Sequence, residues 1–320
     1  YTTTTAGAID YDASKNLIID GQLNHWDEGT SQTGNGYGSS TMFRMVVNGM
    51  TTPSWARQGH ALGDTDHSYY GRLSSVGVGD TVNNYLHVAT RLKLLEKTAG
   101  KTVTVRVKLK GSVVGDIGIR INQNFGTGGV PSVVVFTASK VAITTSFAYY
   151  DVEFTLSSIT GKDLGTNNDS SLELVIEPYL GSTYSLGYSG NPVFTGDLDI
   201  DGISLVEGST AFNGPWNTAE EERERISPYL NIIGNYSDGV AGTNGISLAA
   251  ETPIETSISR RVTLPFKTMM IGVPAITYGT FTAGTFVAAT VTKDSIRIAA
   301  NGSAAASQVL LAYLIADARL

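Results

Sequence analysis

The chain has no cysteine among its 320 residues, which excludes disulfides, thiolate metal sites and cysteine nucleophiles. Charge is scarce at 16%, and 22 basic residues are outnumbered by 29 acidic ones, for a net charge of −7. Binding through nucleic-acid phosphates needs clustered Lys and Arg, so no nucleic-acid partner is expected. The longest apolar runs, such as 132–136 and 309–316, fall far short of the ~20 residues of a membrane-spanning helix, so no membrane insertion is expected. No basic-then-apolar signal segment opens the chain. It begins with Tyr1 rather than Met, as expected of a processed or partial product. The four histidines, His25, His60, His67 and His87, lack metal-ligand spacing, and none sits in a His-Glu-x-x-His pattern. There is no Gly-x-Ser-x-Gly elbow and no phosphate-binding loop. No catalytic residue is assigned, and the chain reads as a non-enzyme.

What the sequence has is strand patterning. Hydrophobic residues make up 41% and Gly 36 positions, which suits a packed β protein with many turns. Along 101–109, Val103, Val105, Val107 and Leu109 alternate with polar residues. This predicts a strand with one buried and one wet face. Ile117, Ile119 and Ile121 repeat the alternation, and further strand-like stretches lie at 41–47, 69–74, 85–95, 133–136, 148–156, 171–176 and 198–206. The stretch Asn16-Leu-Ile-Ile-Asp-Gly-Gln-Leu-Asn-His-Trp26 reads as a strand that enters the core, kinks at Asp20-Gly21 and buries Trp26. Many short strands and almost no helical period predict an all-β jelly-roll sandwich over 16–208. A parallel α/β fold is not expected, because the crossover helices it needs are missing.

Residues 1–15 are Thr-rich and aperiodic, and read as an N-terminal arm or linker. Residues 209–217 are a Gly/Pro/Asn linker. Thr218-Ala-Glu-Glu221 then fits a capping box, and Glu220, Glu221 and Glu222 suit the positive end of the helix dipole. Residues 218–320 are expected to form this short helix and a smaller C-terminal β domain. The Asn-x-Ser patterns at Asn168, Asn235 and Asn301 read as chance occurrences, given no signal segment.

Two residue patterns are candidate sites. Asp197-Leu-Asp199-Ile-Asp201-Gly202 matches the first half of a calcium loop. However, the twelfth position is Gly208, with Glu207 one residue early. The competing reading is a strand with polar Asp residues on its wet face and Leu198 and Ile200 inside. Aromatic residues in Gly-rich loops are the second pattern. A flat ring stacks on the apolar face of a pyranose while polar neighbours bond its hydroxyls. Trp55, Tyr69, Tyr70, Tyr184 and Tyr188 are carbohydrate-binding candidates on this ground, against the alternative that they are core packing.

The order of two signatures carries a resemblance. The first is Asn16-Leu, Gly21, Trp26 and Gly29-Thr-Ser31. The second is 220–229, then Val262-Thr-Leu-Pro-Phe-Lys-Thr-Met269, Val273-Pro-Ala-Ile276, and Tyr313 with Ala316-Asp-Ala318. Together they resemble phage and prophage tail-fibre (receptor-binding) proteins with a carbohydrate-binding-like jelly roll. The resemblance implies a virion location, a homo-oligomer (a trimer in that family) and a host-surface glycan as ligand. The N-terminal arm would then join other virion proteins. A purely structural virion component, or an accessory module of a carbohydrate-active enzyme, are the alternatives. No cofactor is implied beyond a possible structural calcium.

Overall fold

A computed structural model describes residues 2–3, 9–10, 16–60, 67–74, 82–234, 246–249, 258–265, 275–278, 281–282, 284–292, 295–302, 308–311, 313–317 and 319. The chain divides into two compact units, one ending at Glu222 and one running Arg223–Arg319. The division falls inside the short helix.

In the first unit β1 (Thr2–Thr3) pairs antiparallel with β2 (Ile9–Asp10). The sandwich follows with β3 (Ser31–Gln32), β4 (Arg44–Asn48), β5 (Ser54–Gly59), β6 (Tyr69–Ser74), β7 (Tyr85–Leu92), α1 (Leu95–Thr98), β8 (Thr102–Gly111) and β9 (Gly115–Asn124). It closes with β10 (Val135–Ile143), β11 (Ala148–Thr155), β12 (Ser171–Leu180), β13 (Asp197–Glu207) and α2 (Ala219–Ile226). Two antiparallel sheets form, a five-stranded one in the order β10-β9-β12-β7-β4 and a six-stranded one in the order β11-β8-β13-β6-β5-β3. From β7 to β13 the chain repeatedly crosses between the two, as a jelly-roll sandwich requires.

The alternation seen in the sequence fills the core. Val103, Val105, Val107 and Leu109 of β8 are fully buried, as are Ile117, Ile119 and Ile121 of β9. Leu198, Ile200, Ile203 and Leu205 of β13 join them across a bulge at Gly202, whose φ is +60°. The Leu-rich tail after Leu92 turns into α1 instead of staying extended, and Leu95 is buried there. The apolar run at 132–136 is less strand-like than expected: β10 starts at Val135, and Val133 is exposed.

Residues 16–26 organise one end of the six-stranded sheet, but not as a strand. On β13, β6 reaches only Asp197–Ile200. Beyond that point the 16–21 segment takes over the edge. Leu17 N–H donates to the Leu205 carbonyl at 2.8 Å, and Ile203 N–H donates to the Gly21 carbonyl at 2.7 Å. Asn16 Oδ1 accepts from the Ile18 and Leu205 amides. A Cβ on Gly21 would lie 2.0 Å from the Ile203 carbonyl oxygen, so only glycine permits this approach. Asp20 (φ +54°) and Leu23 (φ +56°) complete the kink. Trp26 is buried and lies 5.6 Å from Trp55 between ring centroids.

The capping box is formed. Thr218 N–H donates to Glu221 Oε2 at 2.7 Å and Glu221 N–H donates to Thr218 Oγ1 at 3.3 Å.

The second unit holds β14 (Leu230–Gly234), β15 (Ile246–Ala249), β16 (Ile258–Pro265), β17 (Ala275–Tyr278), β18 (Phe281–Thr282), β19 (Gly284–Val291), β20 (Ser295–Gly302), β21 (Gln308–Leu311) and β22 (Tyr313–Asp317). They form three antiparallel three-stranded sheets: β14-β22-β17, β15-β21-β18 and β16-β20-β19.

Candidate functional site: a polar cleft on the five-stranded sheet

A strand of a sandwich turns every second residue away from the core. On the five-stranded sheet these outward residues are unusually polar: Arg120, Asn122, Glu173 and Glu177 are buried, and Arg44, His87 and Arg91 are half-buried. Arg44 comes from β4, His87 and Arg91 from β7, Glu173 and Glu177 from β12, and Arg120 and Asn122 from β9. The register sets Glu173 directly between Arg91 on one neighbour and Asn122 on the other. Glu173 Oε1 accepts from Arg91 Nε at 2.8 Å and also from Arg44 Nη2, and Oε2 accepts from Asn122 Nδ2 at 2.7 Å. Arg120 Nη1 donates to Asn122 Oδ1 at 2.5 Å and Nη2 to Glu177 Oε1 at 3.3 Å. His87 Nδ1 lies 3.2 Å from the same Glu177 oxygen.

All of these but Arg91, which bonds Glu173 from outside the lining, floor a cavity of about 260 Å³ whose walls include Tyr85, Phe136, Leu180, Tyr184 and Leu186. Tyr85 meets Tyr184 edge-on at 5.5 Å and stacks with His87 at 5.9 Å. The Arg120 guanidinium sits 5.4 Å from the centre of the Phe136 ring. The hydroxyl end of Tyr188 packs on β9: a Cβ on Gly118 would be 2.6 Å from its oxygen, so the bare backbone there makes room for it.

The electrostatics follow from burial opposed by opposite charge. Burial pushes the Glu173 carboxyl up, but Arg44, Arg91 and the bonds from Arg91 and Asn122 outweigh it and hold it at about 2. Glu177 is also lowered: burial raises it, and His87, Arg120 and Tyr188 overcome that. The Tyr188 phenol is pushed well up, first by burial and then by the Glu177 charge. The bonding is incomplete. Arg44 Nε, Arg120 Nε and Glu177 Oε2 are buried with no hydrogen-bond partner. Buried polar atoms are nearly always satisfied, so these atoms, with the Tyr188 hydroxyl and His87 Nδ1 beside them, leave bonds on one floor for water or a ligand to complete.

The five aromatic candidates separate. Tyr184 lines the cleft and Tyr188 adjoins it over Gly118. Trp55 is corrected: it is fully buried in the core, donates Nε1–H to Ser40 Oγ at 2.8 Å, and leaves no ring face for a sugar. Tyr69 and Tyr70 lie on β6 of the other sheet, half-buried. Arg57 covers the Tyr69 ring at 4.4 Å, and His60 and Phe147 pack on Tyr70 at 4.8 and 5.4 Å. The cleft therefore gathers residues that loop-based reasoning missed, namely Arg44, Tyr85, His87, Arg120, Asn122, Phe136, Glu173 and Glu177. The available signal was charged residues at every second position within otherwise apolar strands.

The calcium expectation is also corrected. Asp197, Asp199 and Asp201 lie on the continuous strand β13, not on a loop that wraps an ion. Asp199 accepts from Arg72 Nε at 2.6 Å and Nη2 at 2.9 Å, with Lys110 Nζ at 3.2 Å. Asp201 contacts His67 Nδ1 at 2.5 Å and Lys108 Nζ at 3.1 Å. Asp199 and Asp201 are thus not on a wet face; they are buried and neutralised by protein cations. Among the described residues no group of three or more His, Asp or Glu side chains could hold a metal ion.

No family model matches the chain, and no curated protein matches it in sequence. Solved structures similar to it include the enzymatically active domain of bacteriophage CBA120 tailspike protein 4, at 11% identity and a TM-score of 0.38 over 61% of this chain and 22% of that one. They also include a CBM4 module (15% identity, TM-score 0.33, 58% of this chain and 99% of that one). A third is the CBM22-1 xylan-binding domain of Paenibacillus barcinonensis Xyn10C (12% identity, TM-score 0.33, 62% and 99%). The chain spans about a fifth of the tailspike domain's length.

Proposed function

We propose that the protein is a non-enzymatic fibre protein of a phage or prophage virion that binds host-surface glycan through the cleft on the five-stranded sheet. The observation that carries the glycan part is the combination of aromatic walls, Tyr85, Tyr184 and Phe136, with a buried polar floor that keeps spare donors and an acceptor. A pyranose offers an apolar face to the rings and hydroxyls that both donate and accept to the floor. The virion part rests on the order of the tail-fibre-like sequence signatures from Asn16 to Ala318. The chain acts as a homo-oligomer, a trimer, in which several weak clefts bind together with high avidity. Its Thr-rich N-terminal residues join other virion proteins.

A glycan array probed with the full chain tests this reading. Binding should appear and be lost when Tyr85 and Tyr184 are both changed to Ala. Silence across host-derived glycans would leave a purely structural virion part. Light scattering should give a trimer. The same cleft suits an accessory module of a carbohydrate-active enzyme, and a glycan-binding monomer would favour that reading.

A further inference from the structure

The charge on the cleft floor narrows the ligand, if the cleft holds a glycan as proposed above. Three guanidinium groups, Arg44, Arg91 and Arg120, face two carboxylates, Glu173 and Glu177. His87 Nδ1 lies beside Glu177 Oε1 at 3.2 Å. Both Glu173 oxygens are already used, by Arg44, Arg91 and Asn122. Glu177 stands against Arg120. Counting Arg91, which bonds Glu173 from just outside the cavity lining, the ion network beneath the cleft thus has a surplus of positive charge in a chain whose net charge is −7. The spare bonds have the same sense. Two guanidinium Nε–H donors, on Arg44 and Arg120, lack acceptors, against one carboxylate oxygen, Glu177 Oε2; the Tyr188 hydroxyl and His87 Nδ1, which can serve either way, are also without a hydrogen-bond partner. Arg120 is only 2% exposed, so its spare donor is shut off from bulk water. Planar guanidinium donors recognise planar carboxylates best, and such bonds are stronger than those to neutral hydroxyls.

We infer that the cleft takes an acidic sugar, a pyranose bearing a carboxylate, within a host polysaccharide. The carboxylate accepts from the Arg44 and Arg120 Nε–H groups and neutralises the surplus charge. A ring hydroxyl donates to Glu177 Oε2. The apolar face of the ring lies against Tyr184.

The test is an array of uronate-containing polysaccharides, each printed beside its carboxyl-reduced neutral form and beside unrelated neutral glycans, probed with the full chain. Binding to at least one acidic member is expected, falling about tenfold or more on carboxyl reduction, the size of one lost charged hydrogen bond. Affinity should also weaken with salt. Arg44→Gln should remove most of the preference for the acid; it also takes a counter-ion from buried Glu173 and lowers the melting midpoint, so binding is measured well below the variant's own transition. Arg120→Lys is the second variant, keeping the charge but losing the Nε donor. Equal binding to native and reduced forms, or binding to neutral glycans alone, overturns the acidic-sugar inference and leaves glycan binding standing. No binding to any member overturns both.

Discussion

Glu173→Gln is the most informative single change. Glu173 is buried with its carboxyl at about 2 against an ordinary value of 4.5. At about 1.4 kcal/mol per pH unit the gap corresponds to about 3 kcal/mol of stability. The sign is that of a lowered carboxyl. Its contribution is complete above the unfolded value of 4.5 and is lost as pH falls through about 2. Gln cannot carry the charge, so Arg44 and Arg91 lose their shared counter-ion. Breaking a buried pair from one side costs about 3–5 kcal/mol, which agrees with the pKa figure. In a unit of this size about 3 kcal/mol lowers the melting midpoint by about 6–12 °C. Tryptophan fluorescence isolates the effect, because Trp26, Trp55 and Trp216 all belong to the unit ending at Glu222. Urea unfolding of both proteins should show the full deficit at pH 7 and down to about pH 5, shrinking to about half by about pH 3. A deficit that stays constant between pH 5 and pH 3 would refute the argument, since it would then come from lost shape and not from the ion network.

Three other outcomes are expected. Burial raises the Asp20 carboxyl to about 6 from 3.8, against the lowering effect of His25. Its contribution is therefore complete below about pH 4 and is lost as pH rises through about 6, a swing of about 3 kcal/mol. Asp20→Asn should flatten that part of the stability–pH curve, which denaturant midpoints at pH 4 to 7 would show. Gly21→Ala places a Cβ 2.0 Å from the Ile203 carbonyl oxygen, a backbone atom that cannot step aside. It should destabilise the first unit by about 2 kcal/mol or more by fluorescence-detected melting. Chelator or added calcium should leave the Trp-detected midpoint unchanged, because Asp199 and Asp201 already have protein cations as partners. A rise with calcium would restore the metal reading.

Much of the fold was written in one dimension. The period-two apolar pattern of β8, β9 and β13 depends on which side of a strand a residue faces. That side follows from sequence position alone. The same holds for the capping box at Thr218 and Glu221, where neighbours a few residues apart supply the whole geometry, whereas the kink at Asp20-Gly21 also leans on Glu222 and Ile203. What residues 16–26 do with that kink was not local. Asn16 and Gly21 bond to β13 nearly two hundred residues away, so the segment works as an edge for β13 and not as a strand of regular length. Met269, Met270 and Ile271, which suggest subunit packing by composition, lie outside the described residues.

The cleft belongs to the tertiary structure. Glu173 and Arg44 are 129 residues apart, Arg120 and Glu177 57. Only the strand order β9-β12-β7-β4 sets them side by side. Taken alone, each is a charged residue on the polar phase of a strand, and in most sandwiches that phase faces water. Trp55 shows the converse error. Its Gly/Pro/Ser-rich surroundings resembled an exposed loop, but β5 pairs with β6 and turns the ring inward over Gly71, where a Cβ would touch it at 1.8 Å. Sequence by itself determined which residues can alternate, kink and cap, since those are local steric properties. Burial, charge balance and spare bonds were decided only when distant strands met, because each is a property of neighbours in space.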